Sequence, residues 1–245
     1  MSVQAQSVLP AEIIIADDGS SQETADLIKA FQQNFPVSIK HIWHPDDGFQ
    51  LSAIRNKGIA ACTQEYIVQV DGDLILHPHF IADHLQFQKK SFFVTGSRVL
   101  LSAETSTNLI ENKSIEIEKY SKGNQNFFNK FRNSLLRNLL ATRYKIKGRH
   151  AYYVKGCNMA FWKKNLLAVN GYNESFVGWG KEDSELAIRL LNTGTKKLFL
   201  KMGGITYHLY HKEASKENEA ANVVFMNESI EQKKKWADRG LSQYL

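Results

Sequence analysis

Short apolar runs alternate with amphipathic stretches along most of this 245-residue chain. Apolar residues on both parities at 12–16, 37–43 and 66–70 predict strands buried on both faces, as in a sheet covered by helices. Residues 23–35 and 51–61 between them have helical spacing. Ser20 or Ser21 is placed to cap the first of these helices, and Pro36 ends it. Further on, the pattern predicts a helix over 78–89, a strand over 91–100 and a strand-like run over 152–162. It then predicts a helix over 183–192 closed by Gly194, short strands at 198–201 and 205–207, and a terminal helix over 220–239. Residues 101–123 are polar and without a firm period, which marks an insertion. Strand and helix in alternation argue for an α/β fold, a mostly parallel central sheet flanked by helices. Residues 1–8 read as the end of a helix stopped at Pro10. Such a helix should follow a strand, so the numbering is expected to start one strand late.

Chemistry enters where the apolar runs end. The strand over 66–70 runs into Asp71-Gly72-Asp73, at the strand end where open α/β sheets place ligands. Asp-Gly-Asp is also an ordinary turn. Two carboxylates this close favour a cation, and hard divalent ions take oxygen ligands and bridge to a diphosphate. Three more polar clusters punctuate the pattern: Asp17-Asp18, Glu182-Asp183, and His208 with His211. Carboxylates joined by imidazoles favour Mn²⁺, and a Glu-Asp pair near such an ion is placed to supply a general base.

Composition narrows the setting. Two distant cysteines, Cys62 and Cys157, form no disulfide framework or zinc pattern, and a reduced, cytoplasmic location is expected. No apolar run reaches the length of a membrane span. The net charge of +6 permits an anionic partner, but no nucleic-acid readout motif is present. Charge is unevenly spread, with no Asp or Glu from Lys119 through Asn173. Within that region 127–144 has helical spacing. Phe127, Phe128, Phe131, Leu135, Leu136, Leu139 and Leu140 share a face among Lys130, Arg132, Arg137, Arg143, Lys145, Lys147 and Arg149. The default is that this face covers the sheet while its charges are solvated. The alternative is peripheral contact of 127–149 with the inner face of an anionic membrane, where lipid-linked acceptors reside. Trp43 and Trp162 are expected in the core.

Five stretches together resemble family 2 glycosyltransferases of the GT-A fold with a galactosyltransferase-like C-terminal part. They are Ile13-Ile-Ile-Ala-Asp-Asp-Gly-Ser20, Arg55-Asn-Lys-Gly-Ile59, Asp71-Gly-Asp73, Gly178-Trp-Gly-Lys-Glu-Asp-Ser-Glu185 and Tyr207-His-Leu-Tyr-His-Lys-Glu213. Bacterial chondroitin-type polymerases share the Trp-Gly-x-Glu-Asp and late-histidine elements. The resemblance implies a UDP-sugar donor, Mn²⁺ or Mg²⁺, inversion at the anomeric carbon, and a glycan or lipid-linked acceptor in surface polysaccharide or lipopolysaccharide synthesis. Carried over by position, Asp17 and Asp18 would contact the uridine, and Arg55 the uridine or diphosphate, with Asn56 and Lys57 beside it. Asp73 and His211 would bind metal. Asp71 would hold the ribose or the metal shell, and His208 stands where relatives carry a second histidine ligand. Trp179 and Gly180 would shape the sugar pocket, Asp183 would be the general base, and Glu182 would orient hydroxyls. Lys181 stands where relatives often have glycine and is expected to point to solvent. The implied organisation is one domain: a donor half over 1–101, a helical insertion over 102–150, an acceptor half over 151–220 and a terminal helix over 221–245. The rival readings are a non-catalytic nucleotide-sugar or glycan binder, and a nucleotidyltransferase, which would need an early Gly-rich phosphate loop that this sequence lacks.

Overall fold

The computed structural model describes residues 1–117, 124–212 and 215–245, and the side chains of Phe127 and Arg149 are not described. The expectations for 118–123, for those two side chains and for Glu213 therefore lie outside the described residues.

The elements run β1 (Ile13–Asp17), α1 (Gln22–Asn34), β2 (Ile39–Trp43), α2 (Leu51–Ala61), β3 (Tyr66–Val70), β4 (Leu74–Leu76), α3 (Phe80–Leu85), β5 (Phe92–Gly96) and β6 (Arg98–Leu100). They continue with α4 (Ala103–Glu111), α5 (Ser134–Leu140), β7 (Asn158–Trp162), α6 (Lys163–Leu167), α7 (Glu182–Asn192), β8 (Lys196–Leu200), β9 (Thr206–His208) and α8 (Glu219–Glu231). Two units divide the chain. The first holds 1–9, 68–160 and 197–213; the second holds 10–67, 161–196 and 214–245.

The first unit is built on two sheets, in strand orders β3-β7-β5-β8 and β4-β9-β6. Pairing is mixed: β5 with β7 and β4 with β9 are antiparallel, and β6 with β9 is parallel. The α/β fold expected from the alternating runs stands, with antiparallel pairs among its strands. Burial on both faces records what lies above and below a strand, not the direction of its neighbour. Ile75, Val99, Leu101, Leu109, Ile117, Ile205 and Tyr207 form a core against the three-stranded sheet. Leu76, Phe80 and Ile81 form another, with Val3 packed on it. Residues 1–8 are turns rather than a helix. Gln6 ties them down, donating to the His77 carbonyl at 2.9 Å and accepting from the Ile81 amide at 3.0 Å.

A buried polar cluster fixes α3. Asp83 accepts from Arg132, from the Gly204 amide at 3.0 Å and from Arg137, whose guanidinium also reaches Gln86. Next to it, His84 Nε2 meets Asn158 Oδ1 at 2.9 Å, and Asn158 donates to the carbonyls of Ser97 and Gly204. A Cβ on Gly96 would stand 2.3 Å from the Asn158 amide nitrogen, so this strand position requires glycine.

In the second unit β1 and β2 pair in parallel, from Ile13 opposite Ile39 to Asp17 opposite Trp43. The connection is α1, and α2 packs on both strands, with Gly58 admitting the Ala16 methyl. α7 packs against α8. Trp43, expected in the core, is 49 % exposed and donates its Nε1–H to the Ser20 carbonyl at 3.1 Å. No described helix is long and apolar enough to cross a membrane.

Two outcomes follow for the first unit. Removing the charge of Asp83 leaves a buried guanidinium uncompensated, so Asp83→Asn should cost about 3–5 kcal/mol in urea unfolding; a loss under about 1 kcal/mol would mean the arginines find other partners. Burial holds His84 near 4, below its ordinary 6.5, against the opposing pulls of Asn158 and Asp83. The unfolded chain therefore takes up a proton that the fold refuses. The stabilisation is complete above pH 6.5 and is lost towards pH 4, by up to about 3 kcal/mol. Denaturation measured across that window should show the loss, and His84→Gln should remove that part of it.

Candidate active site

The strand register of the first unit assembles one polar group. β4 and β9 run antiparallel with Leu74 opposite His208, and the ladder extends one step, the Leu209 amide donating to the Asp73 carbonyl at 3.0 Å. Asp73 thus lies beside His208, and the turn after β9 returns His211 to it. The Tyr210 amide, donating to Ser106 Oγ at 2.7 Å, holds that turn. His208 Nε2 and His211 Nε2 lie 3.1 and 3.0 Å from the same oxygen, Asp73 Oδ2. All three ligand atoms fall within 4.8 Å of one another.

The donor set fits a divalent cation. Each imidazole has Nδ1 on a backbone carbonyl, Leu209 for His208 at 2.9 Å and Lys212 for His211 at 2.8 Å. A carbonyl only accepts, so Nδ1 carries the proton and Nε2 turns towards the carboxylate. This is the tautomer of metal-binding histidines, with the remote N–H fixed by an acceptor. Without a positive charge, two nitrogen lone pairs would confront one carboxylate oxygen. Burial lowers the His208 pKa; Asp73 pulls the other way, and Arg98 and His211 add to the lowering. Burial thus works against a proton on His208 Nε2, and a bound cation would supply that charge. Asp73 Oδ1 is buried and has no hydrogen-bond partner among the described residues, as suits an oxygen that would meet a cation. Ligands at right angles about 2.1 Å from an octahedral ion lie about 3 Å apart, matching the spacing here.

Asp71, at the end of β3, is not one of the three. Arg98, which sequence reasoning passed over, opens β6, and its charge reaches His208; it is half-buried, with its guanidinium against Cys157 Sγ.

The second unit positions the other candidates. Asp17 ends β1 and is buried; its Oδ1 accepts from the Ser20 amide at 2.9 Å, and its Oδ2 meets His41 Nε2 at 2.7 Å. Burial raises its pKa, but Ser20 and His41 outweigh burial and hold the carboxyl below its usual range. Asp18 Oδ2 accepts from the Gln50 amide at 2.9 Å, the residue that opens α2. Its Oδ1 meets His44 Nε2 at 2.5 Å, and His44 Nδ1 accepts from Lys57 Nζ at 3.0 Å. His41 and His44 were missed. Their only sequence signal is position on or just after a strand, and the Asp17–Trp43 register was needed to set them against the acids.

Arg55 and Asn56, expected beside the nucleotide, both bond within the protein. Buried Arg55 donates from Nη1 to Asp183 Oδ1 at 2.9 Å and to Glu182 Oε1 at 3.3 Å, and its guanidinium lies 5.2 Å from the Tyr172 ring centroid. Asn56 is fully buried; it donates to the Tyr172 carbonyl and to Glu174 Oε1 and accepts from the Tyr172 amide. It clamps the 171–174 loop and offers nothing to a ligand.

Glu182, Asp183 and Glu185 crowd the first turn of α7, where the helix dipole favours acids. Their partners differ. Glu185 is locked onto Arg189 and Ser229, while Glu182 and Asp183 converge on Arg55. Ahead of them Gly178, Gly180 and Lys181 all have left-handed backbones, which bends the loop sharply. Lys181, expected in solvent, pairs with Glu219 at 3.3 Å. Its left-handed backbone is a conformation that glycine adopts more readily than lysine. Trp179 is partly exposed, with Lys216 Nζ 5.5 Å from its ring centroid.

A family model described as glycosyl transferase family 2 matches residues 1–156, and one described as the N-terminal domain of galactosyltransferase matches 137–212. The chain is 25 % identical to a chondroitin synthase of Escherichia coli over 244 residues, which is 92 % of this chain and 34 % of that protein. It spans about a third or less of the length of the first curated relatives it matches. Among solved structures, S. aureus TarS 1-349 in complex with UDP-GlcNAc superimposes with a TM-score of 0.59 at 13 % identity, over 99 % of this chain and 63 % of that one. A mannosyltransferase of Pyrobaculum calidifontis, in complex with GDP-Man and Mn²⁺, gives 0.59 at 14 %, over 86 % and 52 %.

Calorimetric titration with Mn²⁺ checks the three-ligand group. Asp73→Asn and His211→Ala should each weaken binding at least about tenfold; affinities unchanged in both would remove these residues as ligands.

Proposed function

This chain belongs to glycosyl transferase family 2 and has the GT-A fold, and from that premise we propose that it transfers a hexose or N-acetylhexosamine from a UDP-sugar to a glycan or lipid-linked acceptor, with inversion, in surface polysaccharide or lipopolysaccharide synthesis. The observation that carries the reading is the Asp73–His208–His211 group, with a buried carboxylate oxygen that has no partner among the described residues. These residues would hold Mn²⁺ or Mg²⁺, and the ion when bound neutralises charge gathering on the diphosphate leaving group. Arg98, a cation already beside His208, contributes in the same sense.

Inversion is a single displacement. The acceptor oxygen forms a bond to the anomeric carbon as the bond from that carbon to the diphosphate breaks, and a carboxylate takes the acceptor hydroxyl's proton. Asp183 has that role, with Glu182 orienting hydroxyls. Arg55 is assigned to them rather than to the nucleotide: its bonds to Asp183 and Glu182 keep two like charges side by side and fix the orientation of the base. Asp17 and Asp18 face the uridine, on a loop stiffened by His41, His44 and Lys57. Asp71 contacts the ribose, and Trp179 and Gly180 line the sugar pocket. The bound UDP-GlcNAc of TarS supports a nucleotide-sugar donor.

A screen of UDP-sugars with Mn²⁺ and detection of released UDP and glycosylated product tests this. Asp183→Asn should lower turnover about a hundredfold or more while UDP affinity stays. UDP binding by the wild-type chain with no turnover of any UDP-sugar would make it a binder instead.

A further inference from the structure

The segment over 127–144 departs from the default reading of its sequence, a helix whose apolar face covers the sheet. It is not one helix: a 3-10 turn spans Phe127–Lys130, and α5 begins after Asn133, whose side chain accepts from the Leu136 amide at 3.0 Å. Its polarity is inverted as well. Arg137 faces inward, 2 % exposed, drawn in by Asp83 and Gln86. The apolar residues face out: Leu135 is 80 % exposed, Phe128 75 %, Leu139 51 %, Phe131 47 % and Leu136 43 %. Each large apolar side chain left in water forgoes the stabilisation that burial would give. Five along one short stretch mark a surface made for contact.

The surrounding charge identifies the occupant. Lys130 Nζ lies 5.9 Å from the Phe131 ring centroid, and that ring is 6.3 Å from Phe128. Arg143 donates to the Leu139 carbonyl at 3.3 Å, and its side chain is exposed, as is that of Lys147. No Asp or Glu occurs in the sequence from Lys119 through Asn173. A second copy meeting this face through the same face would set cations against cations. An anionic surface with an apolar interior complements both features at once. We infer that the face built from Phe128, Phe131, Leu135, Leu136 and Leu139 docks on an anionic lipid bilayer, its rings and leucines entering the headgroup–acyl boundary and Lys130, Arg143 and Lys147 meeting the headgroups. The inference uses none of the residues assigned to sugar transfer, so either can fail without the other.

Cosedimentation of the whole chain with phosphatidylcholine vesicles, with and without phosphatidylglycerol, tests it. Binding should require phosphatidylglycerol and weaken as salt is raised. The double variant Leu135→Ser/Leu139→Ser should bind at least about tenfold more weakly. Arg143→Gln/Lys147→Gln should lose roughly fivefold per charge removed. All four positions are exposed, so thermal melts of both variants should match the wild type. Absence of cosedimentation, or binding that ignores both pairs of substitutions, overturns the inference. So does concentration-dependent dimerisation abolished by Leu135→Ser/Leu139→Ser in a chain that ignores vesicles, which would give the face to a second copy.

Discussion

Two imidazole nitrogens and one carboxylate oxygen converge to about 3 Å at Asp73, His208 and His211, and that convergence is tolerable only around positive charge. Everything proposed for the chain's chemistry depends on it. The backbone enforces the approach: the antiparallel β4–β9 register sets Asp73 beside His208, and a core of Ile75, Val99, Ile205 and Tyr207 lies beneath. The Nδ1 hydrogen bonds to carbonyls set the orientation of both rings. A preorganised ligand set of this kind pays its ordering cost at folding rather than at binding.

The acids of the second unit follow the opposite strategy. Asp17, Asp18, Glu182 and Asp183 each have a cationic or imidazole partner in place: His41, His44 and Arg55. Paired carboxylates keep their charge when half-buried, and they keep one orientation. A base that must accept a proton from a bound hydroxyl gains from that fixed orientation. Arg55 holds the Asp183 carboxylate, and its α2 neighbour Asn56 holds the loop that carries Tyr172 against the same guanidinium.

The inverted face around α5 has the same cause as the stability of α3. Asp83 is fully buried and needs compensating charge, and Arg132 and Arg137 supply it. Once Arg137 turns inward, the leucines of a seven-residue helix have only the outside left. A demand for charge balance in the interior thereby decides what the surface presents.

The sequence by itself determined the element types and the identity of the polar groups. α2 spans the residues its spacing indicated, the acids at 17, 73, 182 and 183 open or close elements as expected, and the family resemblance was legible in five short motifs. These are local properties, set by periodicity, capping and strand ends. The tertiary structure decided which groups meet. It paired His41 and His44 with the aspartates, set Arg55 against Asp183 and Glu182, made the sheets mixed, and turned Arg137 in and three leucines out. Each of those outcomes depends on strand register or on a partner more than forty residues away, such as Asp83 for Arg137. The spacing of residues along a chain carries no record of contacts at that range.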